Sequence, residues 1–210
     1  MSRRQVLVAA AALALCSAAA GAQTRALVIT GLGAEDKYHQ LFMSLGQRLA
    51  TTLHEHFSLP DSNIVWLGED STAKSKSYAG RSTAQNINRE VDRMVGRSKP
   101  GEQILIVLIG HGSGSGDESK FNIPGPDLTA RDFHVILNRF SGARVAFLDL
   151  TSASGDALGV VSGPGRIVIT ATKSSYERNE SQFARFFVLD DVENLGRDLD
   201  PVLGTLPGPG

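Results

Sequence analysis

The chain has 210 residues, 41% of them apolar and 20% charged, and its 21 basic and 22 acidic side chains leave a net charge of −1. That is enough chain and apolar content for one domain with a single core, with no positive excess to attract nucleic acid. One cysteine, Cys16, excludes an internal disulfide and a thiolate zinc site.

Residues 1–22 read as a secretory signal peptide. Arg3 and Arg4 precede the apolar stretch Val6 to Leu15, and Ala20-Gly21-Ala22 has the small-x-small form of a cleavage site. The apolar part is shorter than the ~20 residues a spanning helix needs, so no membrane anchor is expected after cleavage. The arginine pair after Ser2 also suggests twin-arginine export, with Val6 in place of the usual aromatic and Val8 in place of a lysine. The expected location is periplasmic or secreted. Cleavage removes Arg3, Arg4 and Cys16, making the charge two units more negative and leaving a thiol-free chain.

From residue 23 to 190 the pattern predicts one α/β domain. Ala26 to Thr30 is a strand closing on Gly31-Leu32-Gly33, and Tyr38, Leu41, Phe42, Leu45, Leu49, Leu53 and Phe57 then recur at helical spacing. Asn63 to Leu67 is the next strand, and the polar stretch 68–82 reads as an exposed loop. Thr83 can cap a helix burying Ile87, Val91, Met94 and Val95. The unbroken apolar run Ile104 to Ile109 is a buried strand, followed by a Gly-Ser loop. Thr129 with Asp132 resembles a capping box ahead of a helix that buries Phe133, Ile136, Leu137 and Phe140. Strands follow at Val145 to Leu150 and Ile167 to Ala171, and Ser181 to Leu189 begins a last helix. Residues 191–210 form an irregular tail rich in Gly and Pro, expected to be loose. Strand alternating with helix, with continuous apolar strands, predicts a three-layer α/β/α sandwich around a mainly parallel sheet. Sites in such sheets lie at the carboxyl ends of the strands, where Gly31, His111, Ser152 and Thr172 are expected.

Two of those strand ends carry chemistry. Gly110-His111-Gly112 delivers a histidine to the sheet edge, and Gly112 can offer its N–H to a substrate oxygen. Thr151-Ser152-Ala153-Ser154-Gly155, 41 residues on from His111 to Ser152, places a hydroxyl nucleophile on an adjacent strand end. The pair resembles the His-Gly and Cys-x-Ser-Gly motifs of the caspase and legumain superfamily of cysteine peptidases, with Ser152 where the cysteine stands. The segment Gly165 to Ser175, with Glu177, Arg178 and Asn179, resembles the strand and loop that border the substrate cleft in bacterial legumain-like proteins. The resemblance spans roughly Ala26 to Val188 and implies a caspase-like fold. It also implies His111 and Ser152 as the catalytic pair, Gly112 and Ser152 as oxyanion donors, and Thr172 and Ser174 as substrate-binding residues. Leu150 departs from the acidic residue often found two places before the nucleophile, and Asp149 is a shifted substitute.

Serine for cysteine changes the chemistry. A thiol of pKa near ~8.5 ionises beside a histidine, whereas a serine hydroxyl must lose its proton during attack and needs a well-oriented base. Asp117, Asp149 and Glu177 are the candidates to orient His111. The expected function is therefore a degenerate peptidase that keeps the cleft and binds a peptide or protein ligand; the alternative is a hydrolase working through Ser152 and His111. No cofactor or metal is expected. The Gly110 to Gly116 loop lacks the Lys-Ser/Thr ending of a phosphate loop, Gly31-x-Gly33 lacks a third glycine, and His54-Glu55-His56 lacks zinc-peptidase spacing. No Gly-x-Ser-x-Gly elbow surrounds any serine. The sequence does not define an oligomeric state.

Overall fold

The computed structural model describes residues 23–177 and 182–192. The signal peptide reading at 1–22, Arg178, Asn179 and the tail from 193 lie outside the described residues.

Each long strand is an unbroken apolar run because alternate side chains enter different layers. On β1 (Thr24–Thr30), Ala26 and Val28 face one layer and Leu27 and Ile29 the other; on β4 (Gln103–Ile109), Val107 and Ile109 oppose Ile104, Ile106 and Leu108. The sheet is completed by β2 (Ile64–Gly68), β3 (Tyr78–Arg81), β8 (Arg144–Asp149) and β9 (Arg166–Thr170). Its order is β3-β2-β1-β4-β8-β9, and every pairing is parallel. The α/β/α sandwich expected from the sequence is the fold observed.

Helix α1 (Asp36–Glu55) buries Phe42, Leu45, Leu49 and Leu53 on one face of the sheet. Helix α5 (Gln182–Phe186), prolonged by a π-helical turn Phe187–Val192, adds Ala184 and Val188 to the same layer and leaves Phe186 exposed. The other face is covered by α2 (Ala84–Arg97), α3 (Ala130–Asn138) and α4 (Ala157–Val161). The predicted caps are present. Thr83 Oγ1 accepts from the Asn86 N–H, and Thr129 and Asp132 close a reciprocal capping box.

The structure adds three features to the sequence reading. The stretch 68–82 contains β3, an edge strand whose residues are half-buried or exposed. The segment after His111 folds as a small antiparallel sheet of β5 (Gly112–Ser113), β6 (Lys120–Phe121) and β7 (Leu128–Thr129). The five-residue α4 follows the Ser152 turn. Strand order reverses between β1 and β4, so the crevice that an open α/β sheet offers lies at their carboxyl ends.

Candidate functional site

At that crevice the Gly31 N–H donates to the Ile109 carbonyl at 2.9 Å, joining the ends of β1 and β4. His111 leaves β4 on the α1 side of the sheet. Its ring meets Tyr38 edge-on, centroids 4.7 Å apart, and Phe42 at 5.0 Å. Two aromatic rings fix the plane of the imidazole and border it with apolar surface. The His111 carbonyl accepts from the Asn122 N–H, and the Asn122 carbonyl accepts from Leu32, so the antiparallel sheet folds back over the crevice.

Ser152 stands on the adjacent strand end. Its Oγ accepts from the Gly112 N–H at 3.1 Å, so the residue that follows His111 meets Ser152 through its backbone. The approach is close enough that a Cβ on Gly112 would overlap the Ser152 carbonyl, which is why glycine stands there. Ser152 is 1% exposed. Ala153, next in the chain, holds φ +57°, a left-handed conformation that costs a non-glycine residue about 1–2 kcal/mol. The surrounding hydrogen bonds hold it there: the Ala153 N–H donates to the Glu177 carbonyl at 2.9 Å, and the Thr151 hydroxyl lies 3.2 Å from the Ser152 carbonyl.

The Ser-Gly that follows is a clamp between strand ends. Ser154 Oγ accepts from the N–H groups of Ala171 and Thr172 at 3.1 and 3.3 Å. Thr172 Oγ1 accepts from the Gly155 N–H at 3.0 Å and donates to the Ser174 carbonyl at 3.2 Å. A Cβ on Gly155 would collide with the backbone of Lys173 and Ser174. The Thr172 hydroxyl and the Ser174 carbonyl thus tie the 171–177 loop to the Ser152 turn, and the half-buried Ser174 side chain lies on the same loop. Tyr176 stands 86% exposed beside the Glu177 carbonyl that holds Ala153.

The three candidate orienters take different places. Asp117 pairs with Arg131 on the surface, and that hydrogen bond holds its carboxyl below the usual range. The exposed Glu177 contributes its backbone carbonyl to the Ser152 turn. Asp149 lies on the sheet face opposite Tyr38, Phe42 and α1, among Phe133, Phe147 and Ala157. There its Oδ1 accepts the Thr151 hydroxyl at 2.6 Å and the Thr151 N–H at 3.2 Å, bending the chain ahead of Ser152. Burial pushes its carboxyl up to about 6, against the pull of those two hydrogen bonds. It borders a small cavity of about 10 Å³, room for one water. The buried Ser119 hydroxyl on that cavity has no hydrogen-bond partner among the described residues.

A charged cluster that the sequence reading missed stands at the ends of β1 and β2. His39 Nδ1 lies 2.8 Å from Glu69 Oε2 and its Nε2 3.3 Å from Asp70 Oδ2, while the same Glu69 oxygen accepts the Gly33 N–H at 2.9 Å. The hydrogen bond to Glu69 raises the imidazole above its ordinary pKa. His39 comes one residue after Tyr38, so this cluster pins the turn of α1 that packs on His111. Nothing in the spacing of 39, 69 and 70 marks them as partners; only the crossover from β1 to β2 does.

Among the described residues no group of three or more His, Cys, Asp or Glu side chains could hold a metal ion, and no helix is long and apolar enough to cross a membrane. No protein-family model and no curated protein matches the chain.

Proposed function

We propose that this chain is a degenerate caspase/legumain-like protein, exported to the periplasm or beyond, whose crevice binds a peptide or protein segment and cleaves it little or not at all. The observation that carries the reading is Ser152 itself. A hydroxyl that is 1% exposed and engaged by the Gly112 N–H cannot meet a scissile carbonyl without movement of the turn. The donor suited to an oxyanion is meanwhile spent on the hydroxyl. Burial, hydrogen bonding and the weaker acidity of oxygen all act against turnover.

The reading is tested by assaying a peptide library with the wild type beside Ser152→Cys. No turnover by the wild type is the expected result, with any peptidase activity confined to the variant, whose thiol ionises more readily at a position that stays equally buried. Turnover by the wild type that His111→Ala abolishes would overturn it. One observation favours a second reading. Because Ser152 Oγ accepts from Gly112, its own proton remains available to a base, as in a resting serine nucleophile. Covalent labelling of Ser152 by a fluorophosphonate would support a Ser152/His111 hydrolase.

A further inference from the structure

Helix α1 begins without the usual means of holding a first turn. Glu35, at its N-cap, makes no side-chain capping bond, and Ala34 before it holds φ +61°, a left-handed conformation that a non-glycine residue keeps only where its surroundings impose it. A Cβ on Gly33 would collide with the backbone of His39, so the strand exit and the helix touch there. The brace for this turn comes from the end of β2. Glu69 Oε2 accepts the Gly33 N–H and lies 2.8 Å from His39 Nδ1, while Asp70 Oδ2 lies 3.3 Å from His39 Nε2. Tyr38, the residue before His39, sets its ring edge-on against His111. One imidazole thus joins the end of β2 to the helical turn that walls the crevice.

Hydrogen-bond counting makes this joint sensitive to a proton. An imidazolium has two N–H donors and serves both carboxylates; a neutral imidazole has one N–H and one lone pair, to which a carboxylate cannot donate. Loss of the proton leaves the shorter bond, to Glu69, and turns Nε2 into an acceptor facing the Asp70 carboxylate. The half-exposed Asp70 side chain then turns to water. Among the described residues, the charges acting on His39 are those of Glu69 and Asp70. On its own turn Glu35 pairs with Lys37 and Asp36 is exposed, and from β3 Arg81 donates to the Glu69 backbone carbonyl. The Glu69 hydrogen bond favours the imidazolium, so the proton leaves above the ordinary 6.5.

We propose that His39 is a proton-operated strap: protonated, it binds Glu69 and Asp70 together and holds Tyr38 against His111; deprotonated, it releases Asp70 and loosens the Tyr38 wall of the crevice. The strap acts on the shape of the crevice whatever that crevice binds or cleaves. Its test is NMR of the full chain with labelled histidine and tyrosine rings, following the His39 ring signal and the cross-peak between the Tyr38 and His111 rings as the pH is raised. The cross-peak is expected to be lost with the midpoint of the His39 titration. In Asp70→Asn the new amide can donate to the neutral Nε2, so the cross-peak is expected to survive deprotonation of His39. His39→Gln, with no proton to lose, is expected to remove the pH dependence; should that variant fail to fold, Asp70→Asn still decides. A cross-peak that persists through the wild-type His39 titration, or that follows the titration of His111 instead, would overturn the proposal. So would Asp70→Asn losing the cross-peak as the wild type does.

Discussion

Asp149 is an acid held where ionisation is costly, and Asp149→Asn measures that cost. Its carboxyl, buried among aromatic and aliphatic side chains, is pushed from 3.8 to about 6. The folded state therefore binds this proton more tightly than the unfolded chain does. The linked stability is present in full below pH 3.8 and is lost as the pH rises through about 6. Two pKa units correspond to about 3 kcal/mol. Asparagine keeps an oxygen that can accept from the Thr151 hydroxyl and N–H, and its amide enters a cavity already shared with the unpartnered Ser119 hydroxyl. Urea unfolding of wild type and variant is followed from pH 4 to pH 7.5. The variant is expected to gain on the wild type by up to about 3 kcal/mol over that range, a relative rise of roughly 6–12 °C in Tm for a domain of this size. A stability difference that stays constant with pH would refute the reasoning, since it would mean that Asp149 titrates normally in the fold.

His39 has the opposite consequence at higher pH. Its pKa is raised by the hydrogen bond to Glu69, so its contribution is complete below about 6.5 and disappears as the pH passes through the raised value. His39→Gln is expected to flatten stability between pH 6 and 9 in thermal unfolding, and an unchanged slope would exclude the imidazolium as the source. Gly112→Ala forces a methyl group against the Ser152 carbonyl and is expected to cost about 1–3 kcal/mol in urea unfolding. Gly96→Ala, on the helix face where an added Cβ meets nothing within 4 Å, is expected to stabilise α2 by roughly 0.5–1 kcal/mol, checked by the same measurement.

What the sequence reveals and what it hides divide along physical lines. Runs such as Ile104 to Ile109 and Val145 to Leu150 are legible because strands buried on both faces cannot alternate with polar residues. Thr83 and Thr129 are legible because a cap acts locally, between residues three apart. β3 escapes because an edge strand need not be apolar, and β5 to β7 escape because two residues hold no period. At the site, the joining of Gly112 to Ser152 follows from both lying at the ends of adjacent parallel strands. Three-dimensional contacts alone decide that Asp149 serves the Thr151 bend on the face away from α1, and that His39 meets Glu69.

Those contacts bear on what holds the Ser152 turn in shape. Ser154, Thr172, Gly155 and Asp149 bind backbone groups around Ser152, and none of their hydrogen bonds uses the Ser152 hydroxyl. The turn's conformation, including the left-handed Ala153, is thus fixed by neighbours that make no demand on the atom at the tip. Exchange of sulfur for oxygen changes acidity and reach while leaving that frame in place. A ligand that recognises the frame, through the rings beside His111 and the exposed Tyr176, would therefore bind Ser152 and Ser152→Cys proteins with nearly equal affinity, and only turnover would separate them.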